Sequence, residues 1–527
     1  MTVTTAPARP AILQKPVSFA PWISTAILLA LWELAGRQLS GTFVLASPSE
    51  VLRYLAEEWR MMARALAVTL GNAALGFVFG NLAAIALATL ASVWPRTERV
   101  VAGLALLVFC LPLVATGPIL RVLFGPGDGP QIVLAALAVY YTTLIPLLVG
   151  LRAAPATWFD LVRSYGRGRV SALVHVRAMA ALPYLFTGLQ IAAPAAFLGA
   201  MVGEFTGAER GMGVLTVRAI RALDVEMTWA LATVATGVAI LAYAVIGALA
   251  RRVLKAPPPV ILAAPAPAGA RSSALQTGAI VTVLALLAWW GAIRVFDLNP
   301  FFAKGPGDVF AALILADDAA ETRATLAGAL GETLVFLLPG YIAGLLAGAG
   351  LAMLLVLMPI LAGTAMPLAI ALRSVPIVTT APLVVLLLGR GATGTIVLVA
   401  VMVFFPTFVA CLHGLRQAPG QIMDVLDSYA AGPVTRLIRV RIPAMLPAFF
   451  AAARMAVPAS VLAVTVVEWL ATGAGVGSLM ALSASLSDYD MLWSAVVLVS
   501  ALSALGYAAV GAVERRILTL YAPEQVA

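Results

Sequence analysis

Few side chains in this 527-residue chain are of a type and spacing that could make or break a covalent bond. The three lysines, Lys15, Lys255 and Lys304, precede Pro16, Ala256 and Gly305, so none is followed by the Ser or Thr that a phosphate-cradling P-loop needs. A G-x-S-x-G nucleophile elbow is missing. His175 and His413 lie in different halves of the chain, where an ordinary interfacial role is expected of each, and no His-rich metal motif exists. Cys110 and Cys411 each sit in an apolar run with no close-spaced partner, which excludes a disulfide framework and a zinc cluster. Catalytic and metal-binding residues are therefore not expected. What remains is charge inside apolar runs: Arg373, Arg454 and, among acids, Glu332. Each such group costs about 2.5–3.5 kcal/mol to insert in a bilayer and so points either to function or to a structural pair.

The elements that must carry these residues follow from composition. Hydrophobic residues make up 62% of the chain, charged residues 11%, and the mean hydropathy is +1.02. An ordinary soluble globule has about 45–50% and about 25%, so this is an all-α polytopic membrane protein. The net charge of +9 does not indicate nucleic acid, because the basic residues are scattered at the ends of apolar runs rather than gathered in a stripe. Arg9 and Lys15 before the apolar stretch 21–35 resemble a signal peptide, but no small-x-small cleavage site follows, and a retained first span is expected.

A Pro/Ala-rich stretch, RRVLKAPPPVILAAPAPAGAR, divides the chain into a first domain over residues 1–250, a linker over 251–274 and a second domain over 275–527. The domains are internal repeats. A shift of 264 aligns Pro112 with Pro376, Pro118 with Pro382, Asp160 with Asp424, Ser164-Tyr165 with Ser428-Tyr429, Pro194 with Pro458 and Glu204 with Glu468. Earlier in each half a shift of 260 pairs Gly71 with Gly331 and Gly80 with Gly340, implying about one helical turn gained before Pro359, and it sets Glu332 against Asn72. Six spans are expected per half, near 20–36, 65–91, 99–122, 131–150, 184–205 and 228–249, then 276–295, 327–350, 363–388, 393–413, 447–469 and 492–513. About 12 transmembrane helices thus form two parallel six-helix repeats, because an even number per repeat makes both enter the membrane in one direction. The bias of Lys and Arg places both termini in the cytoplasm.

The segments joining the fourth and fifth spans stand out. TWFDLVRSYGRGRV puts Trp158, Phe159, Val162 and Tyr165 at helical spacing among Asp160, Arg163 and Arg167; QIMDVLDSYAAGPV puts Ile422, Val425, Leu426 and Tyr429 on a comparable face beside Asp424. Two such surface helices related by pseudosymmetry would either dock a twofold-symmetric soluble partner or lie on the lipid headgroups.

These segments resemble the Glu-Ala-Ala loop of bacterial ABC-importer permeases. Asp160 to Gly166 fits its acid-to-glycine spacing, Asp424 to Ala430 fits with the glycine lost, Pro443 stands at the later proline position, and the first half has Met179 there. Leu182-Pro183, Leu446-Pro447, the proline-rich third spans, the PSEVL and PGDVF starts and the Glu-x6-Gly-x-Gly signatures look like the nitrate/sulfonate/taurine permease group over nearly all of both halves. Both halves depart from the family in having Asp for Glu and no Ala-Ala. The resemblance implies a type I ABC importer transmembrane fold in the bacterial inner membrane, with two permease domains fused in one chain. It implies no cofactor here: ATP and magnesium belong to two copies of a cytoplasmic P-loop ATPase, and an extracytoplasmic solute-binding protein delivers the solute. Trp158, Asp160, Arg163, Tyr165 and Gly166, with Ile422, Asp424, Leu426, Tyr429 and Ala430, would then couple to the ATPases.

For the membrane interior, Arg373 and Arg454 either line the path as cations suited to an anion such as nitrate, sulfonate or taurine, or pair and snorkel structurally. Pro112 and Pro376 free backbone carbonyls near the bundle axis or only kink their helices. Glu204 and Glu468, with Gly211 and Gly475, form outer gate loops or cap short interfacial helices. The competing class is an ion-coupled secondary transporter built on Glu332, which needs a midplane acid.

Overall fold

The computed structural model describes residues 20–39, 45–94, 97–125, 127–205, 207–254, 271–361, 384, 388 and 391–521. Arg373, Pro376 and residues 255–270 of the expected linker lie outside them. The described residues contain helices and no strand. The first half runs α1 (Ala20–Gln38), α2 (Pro48–Glu57), α3 (Trp59–Val93), α4 (Glu98–Phe109), α5 (Leu113–Phe124), α6 (Gly129–Arg152), α7 (Ala156–Ser164), α8 (Val170–Phe205), α9 (Met212–Ala222) and α10 (Val225–Val253). The second runs α11 (Arg271–Val295), α12 (Pro306–Leu315), α13 (Ala319–Leu357), α14 (Ala392–Arg416), α15 (Gly420–Ser428), α16 (Pro433–Leu470), α17 (Gly475–Ser485) and α18 (Tyr489–Tyr521). Nine of these helices are long and apolar enough to cross a membrane. The 19-residue α1 stands in the first-span position.

The expected continuous third span, 99–122, is instead two helices. α4 ends at Phe109 and Pro112 takes an extended conformation, φ −71° and ψ 105°, before α5. Proline lacks the N–H that would carry α4 onward, so the break sits where the ring falls.

Packing corrects the repeat register. In a bilayer there is little hydrophobic drive between helices, so close contact comes from small residues. α3 buries Ala73, Gly76, Gly80, Ala84, Ala88 and Ala91 against α6, while Leu75, Val78, Phe79 and Leu82 face outward. A β-carbon on Gly80 would come within 2.6 Å of the Ala136 carbonyl oxygen, and one on Gly344 within 2.6 Å of that of Ala400. Gly76 likewise abuts Ala135 and Ile132 as Gly340 abuts Val399 and Ile396. All these pairs differ by 264, so Gly80 matches Gly344 rather than Gly340, and the shift of 260 does not hold. The length change lies further upstream: the starts of α2 and α12 are 258 residues apart, and the shift reaches 264 by Thr69 and Thr333. Ser47 accepts from Glu50 N at the start of α2, and Gly305 N donates to Asp308 at the start of α12. Glu332 consequently matches Val68, not Asn72.

The halves interlock. α11 packs on α4 of the first half, Gly103 against Val281, and also stacks Trp289 on Trp493 of its own α18. Trp32 and Trp229 form the equivalent contact between α1 and α10. One buried apolar cluster joins Ile119 and Val202 to Leu398, Val464 and Val496 across the junction.

Candidate functional site

α7 and α15 are nine-residue amphipathic helices on one end of the molecule. Both are capped alike. The N–H of Arg167 donates to Val162 O (3.1 Å) and that of Ala431 to Leu426 O (2.9 Å), the longer closing bond of a Schellman cap. That cap requires a left-handed residue, which is Gly166 at φ +67° and Ala430 at φ +50°. The helix therefore ends at Ser164, and Gly166, expected among the coupling residues, is its terminator.

The apolar faces of the two helices divide in two. Trp158, Leu161 and Tyr165 point outward, and Ile422, Val425 and Tyr429 repeat them at the same register; Tyr165 is 75% and Tyr429 81% exposed. Phe159 and Val162 turn inward and, with Ser92, Arg163, Arg167 and Arg177, line a cavity of about 510 Å³ between α7 and the bundle. Arg177 ties this face to the bundle, stacking 5.4 Å above Phe159 while its Nη1 donates to Ser92 O (2.6 Å) and Oγ (2.8 Å). It belongs to a π-helical turn, Leu173–Arg177, which recurs at Leu437–Arg441. In the second half Asp427 pairs with Arg436 at 2.6 Å instead.

At the opposite end, Glu204 is buried at 1% exposure, accepting from Thr69 Oγ1 (2.8 Å) and Gly213 N (2.6 Å), while Met212 N donates to Thr69 Oγ1 (2.9 Å). The second half repeats the lock: Gly477 N donates to Glu468 Oε2 (2.8 Å) and Val476 N to Thr333 Oγ1 (3.0 Å). Each glutamate thus caps the N-terminus of the short helix that follows it. Gly211, φ +125°, and Gly475, φ +80°, are the turns that permit this, since a methyl group on either would overlap the carboxylate. Sequence reasoning found the glutamates and glycines but missed Thr69, 135 residues from Glu204, and Thr333, 143 residues from Val476, whose signal was their common shift of 264. Glu332 lies at this end too, accepting from Gly475 N at 2.8 Å, and not at the midplane position a secondary carrier needs.

Arg454 neither snorkels nor stands free. Its Nε lies 3.0 Å from Glu514 Oε2 of α18, both side chains largely buried, and its guanidinium sits 5.7 Å from the Tyr507 ring centroid. Gln190 takes its place in the first half, with Nε2 3.4 Å from Tyr243 O. Pro112 is buried at the α4–α5 break.

This arrangement, two bundles each with an exposed amphipathic helix at one end and a glutamate-capped turn at the other, is that of a membrane transport component. The family of binding-protein-dependent transport system inner membrane components matches residues 76–255 and again 340–519, and the chain belongs to it. Both matches begin and end 264 residues apart. The chain is 31% identical over 241 residues to the riboflavin transport system permease protein of Chloroflexus aurantiacus, covering 44% of this chain and 88% of that one. It is 26% identical to the formylaminopyrimidine transport permease protein of Halalkalibacterium halodurans (39% and 82%) and 24% to the taurine transport system permease protein of Escherichia coli (46% and 90%). Each relative is matched over most of its length yet covers less than half of this chain, which holds two permease domains. It is the transmembrane permease of an ATP-driven, binding-protein-dependent importer with the type I ABC importer fold.

Proposed function

We propose that this single chain forms the whole membrane path of the importer, with ATP and magnesium bound and ATP hydrolysed on two copies of a separate P-loop ATPase, one seated under each half. The carrying observation is the pair of outward apolar triplets, Trp158/Leu161/Tyr165 and Ile422/Val425/Tyr429, held at one register on rigidly capped helices. Each triplet is a compact aromatic and aliphatic anchor of the kind that fills a partner's cleft. Movement of α7 passes through Phe159 and Arg177 to the end of α3, so closure of the ATPases rocks one bundle against the other. Both termini lie on the ATPase side, in the cytoplasm. At the far end the loops held by Glu204, Gly211, Glu468 and Gly475 face the solute-binding protein, and Pro112, Pro376, Arg373 and Arg454 belong to the path.

The solute is a small organic molecule, and the taurine relative supports an anion of the sulfonate class. Arg454 adds little to that preference, because Glu514 neutralises it. A second reading, a planar heteroaromatic solute, is favoured by the Phe109–Tyr141 stack, 4.2 Å between centroids, with Tyr507 beneath Arg454 where the halves meet. Uptake in proteoliposomes, competed with taurine or with a pyrimidine, separates the two.

Changing both Tyr165 and Tyr429 to Asp tests the docking assignment. The variant should insert normally yet lose ATPase co-purification and ATP-dependent uptake. Undiminished uptake would refute it.

A further inference from the structure

The two docking helices share their apolar centres and differ in charge. Trp158, Leu161 and Tyr165 correspond to Ile422, Val425 and Tyr429, but Arg163 corresponds to Asp427 and Arg167 to Ala431, while Asp160 is kept as Asp424. From its first helical residue to the residue after its cap, α7 carries one carboxylate and two guanidiniums, and α15 carries two carboxylates and no cation. These charges are accessible: Arg163 is 79% and Asp427 52% exposed in the side chain. Arg163 lies 3.6 Å from Asp160, whereas Asp427 is held by Arg436, whose Nε also donates to Ala431 O at 2.8 Å. A partner that seats one apolar triplet thus closes around a helix whose opposite flank, open to solvent, carries a guanidinium on one half and a carboxylate at the same register on the other.

We propose that the two halves make electrostatically opposite joints with the two ATPase copies, so that one joint is held more tightly than the other. The inference rests on α7 and α15 being the docking helices. Identical ATPase subunits offer one rim, and a rim of either sign complements only one of Arg163 and Asp427. Rim charges act mainly through association rate and salt dependence, and like charges brought together are repelled.

The test uses the full-length chain in nanodiscs and the separately purified ATPase, with binding measured at low and high ionic strength. Arg163→Asp and Asp427→Arg should shift the apparent affinity in opposite directions, each by about tenfold at low salt, and both shifts should shrink at high salt. The neutral variants Arg163→Gln and Asp427→Asn should move it the same ways by a smaller factor, and Arg436→Gln, which breaks the pair but leaves the Asp427 carboxylate charged, should not reproduce the Asp427→Asn shift. Two reversals that both weaken binding, or that leave it unchanged, overturn the proposal. If the unsubstituted chain binds no ATPase, the docking assignment itself has failed.

Discussion

Ala430 is the residue at which α7 and α15 solve the same geometric problem with different chemistry. Gly166 and Ala430 both occupy the left-handed terminator of a Schellman cap, at φ +67° and +50°. The left-handed conformation costs an L-residue with a β-carbon about 1–2 kcal/mol. Glycine avoids that but gives the unfolded chain about 0.4–1 kcal/mol of extra freedom. The difference leaves Ala430→Gly stabilising the α15 cap by about 1 kcal/mol, about a fivefold change in its opening equilibrium. Packing does not confuse the comparison, because a β-carbon built on Gly166 meets nothing within 4 Å. Hydrogen exchange of the purified chain in nanodiscs reads the effect directly. The Ala430 and Ala431 amides, which donate to Asp427 O and Leu426 O, should exchange about fivefold more slowly in Ala430→Gly. The Gly166 and Arg167 amides should exchange about fivefold faster in Gly166→Ala. Faster exchange around α15 in Ala430→Gly would refute the assignment of backbone strain to Ala430.

Gly211→Ala and Gly475→Ala should each destabilise their half by about 2–4 kcal/mol, because the new methyl overlaps a buried carboxylate and the backbone is left-handed; thermal unfolding in detergent, with Gly237→Ala as an open-space control, checks this. Arg454→Met alone should cost about 3 kcal/mol by leaving Glu514 buried without its partner, whereas Arg454→Met with Glu514→Met should lie close to the unsubstituted protein. A double variant as unstable as the single would mean that Arg454 acts through contacts other than Glu514. Glu204→Gln should lower stability by about 1–3 kcal/mol, because an amide cannot accept from both Thr69 and Gly213, and the same melting assay reads it.

Much of this architecture was legible because the repeat is written in residues that backbone geometry restricts. Prolines, glycines and the tyrosines that end α7 and α15 sit where no ordinary residue serves equally well, and they kept the 264 register through the second part of each half. The register failed in α3 and α13 for a specific reason. Gly76 and Gly80 are four apart, as are Gly340 and Gly344, so sliding one helix past the other by a turn still superposes glycine on glycine. The atoms beyond the glycines, Ala136 against Ala400 and Val139 against Val403, and the equivalent bonds of Thr69 and Thr333 distinguish the two alignments. Polar partners were hidden differently. Glu514 is 60 residues from Arg454 and has Ala250 as its counterpart, so neither proximity nor repetition marked it. The break at Pro112 was visible as a proline but not as a helix end, since prolines 118, 146, 183 and 194 sit inside continuous helices.

The positions at which the halves diverge share a property that fusion explains. Arg454 faces Gln190 across the pseudosymmetry, Glu514 faces Ala250, Glu332 faces Val68 and Arg163 faces Asp427; all are polar in at least one half, while Gly76 and Gly80, matched by Gly340 and Gly344, and the glutamate locks are held in both. Were the two bundles separate copies of one chain, every substitution would appear twice. An arginine introduced near the junction would then bring a second arginine into the same membrane interior, where each buried charge needs its own partner. In a fused chain Arg454 enters once and Glu514 answers it once, so the cost of asymmetry is a single ion pair. Close-packed positions gain no such freedom, because each half must still seat α3 on α6 or α13 on α14 by itself. Charge differences of this kind therefore fall where bundle packing is indifferent to charge: on the exposed faces of α7 and α15, at the glutamate-capped end and near the junction between the halves.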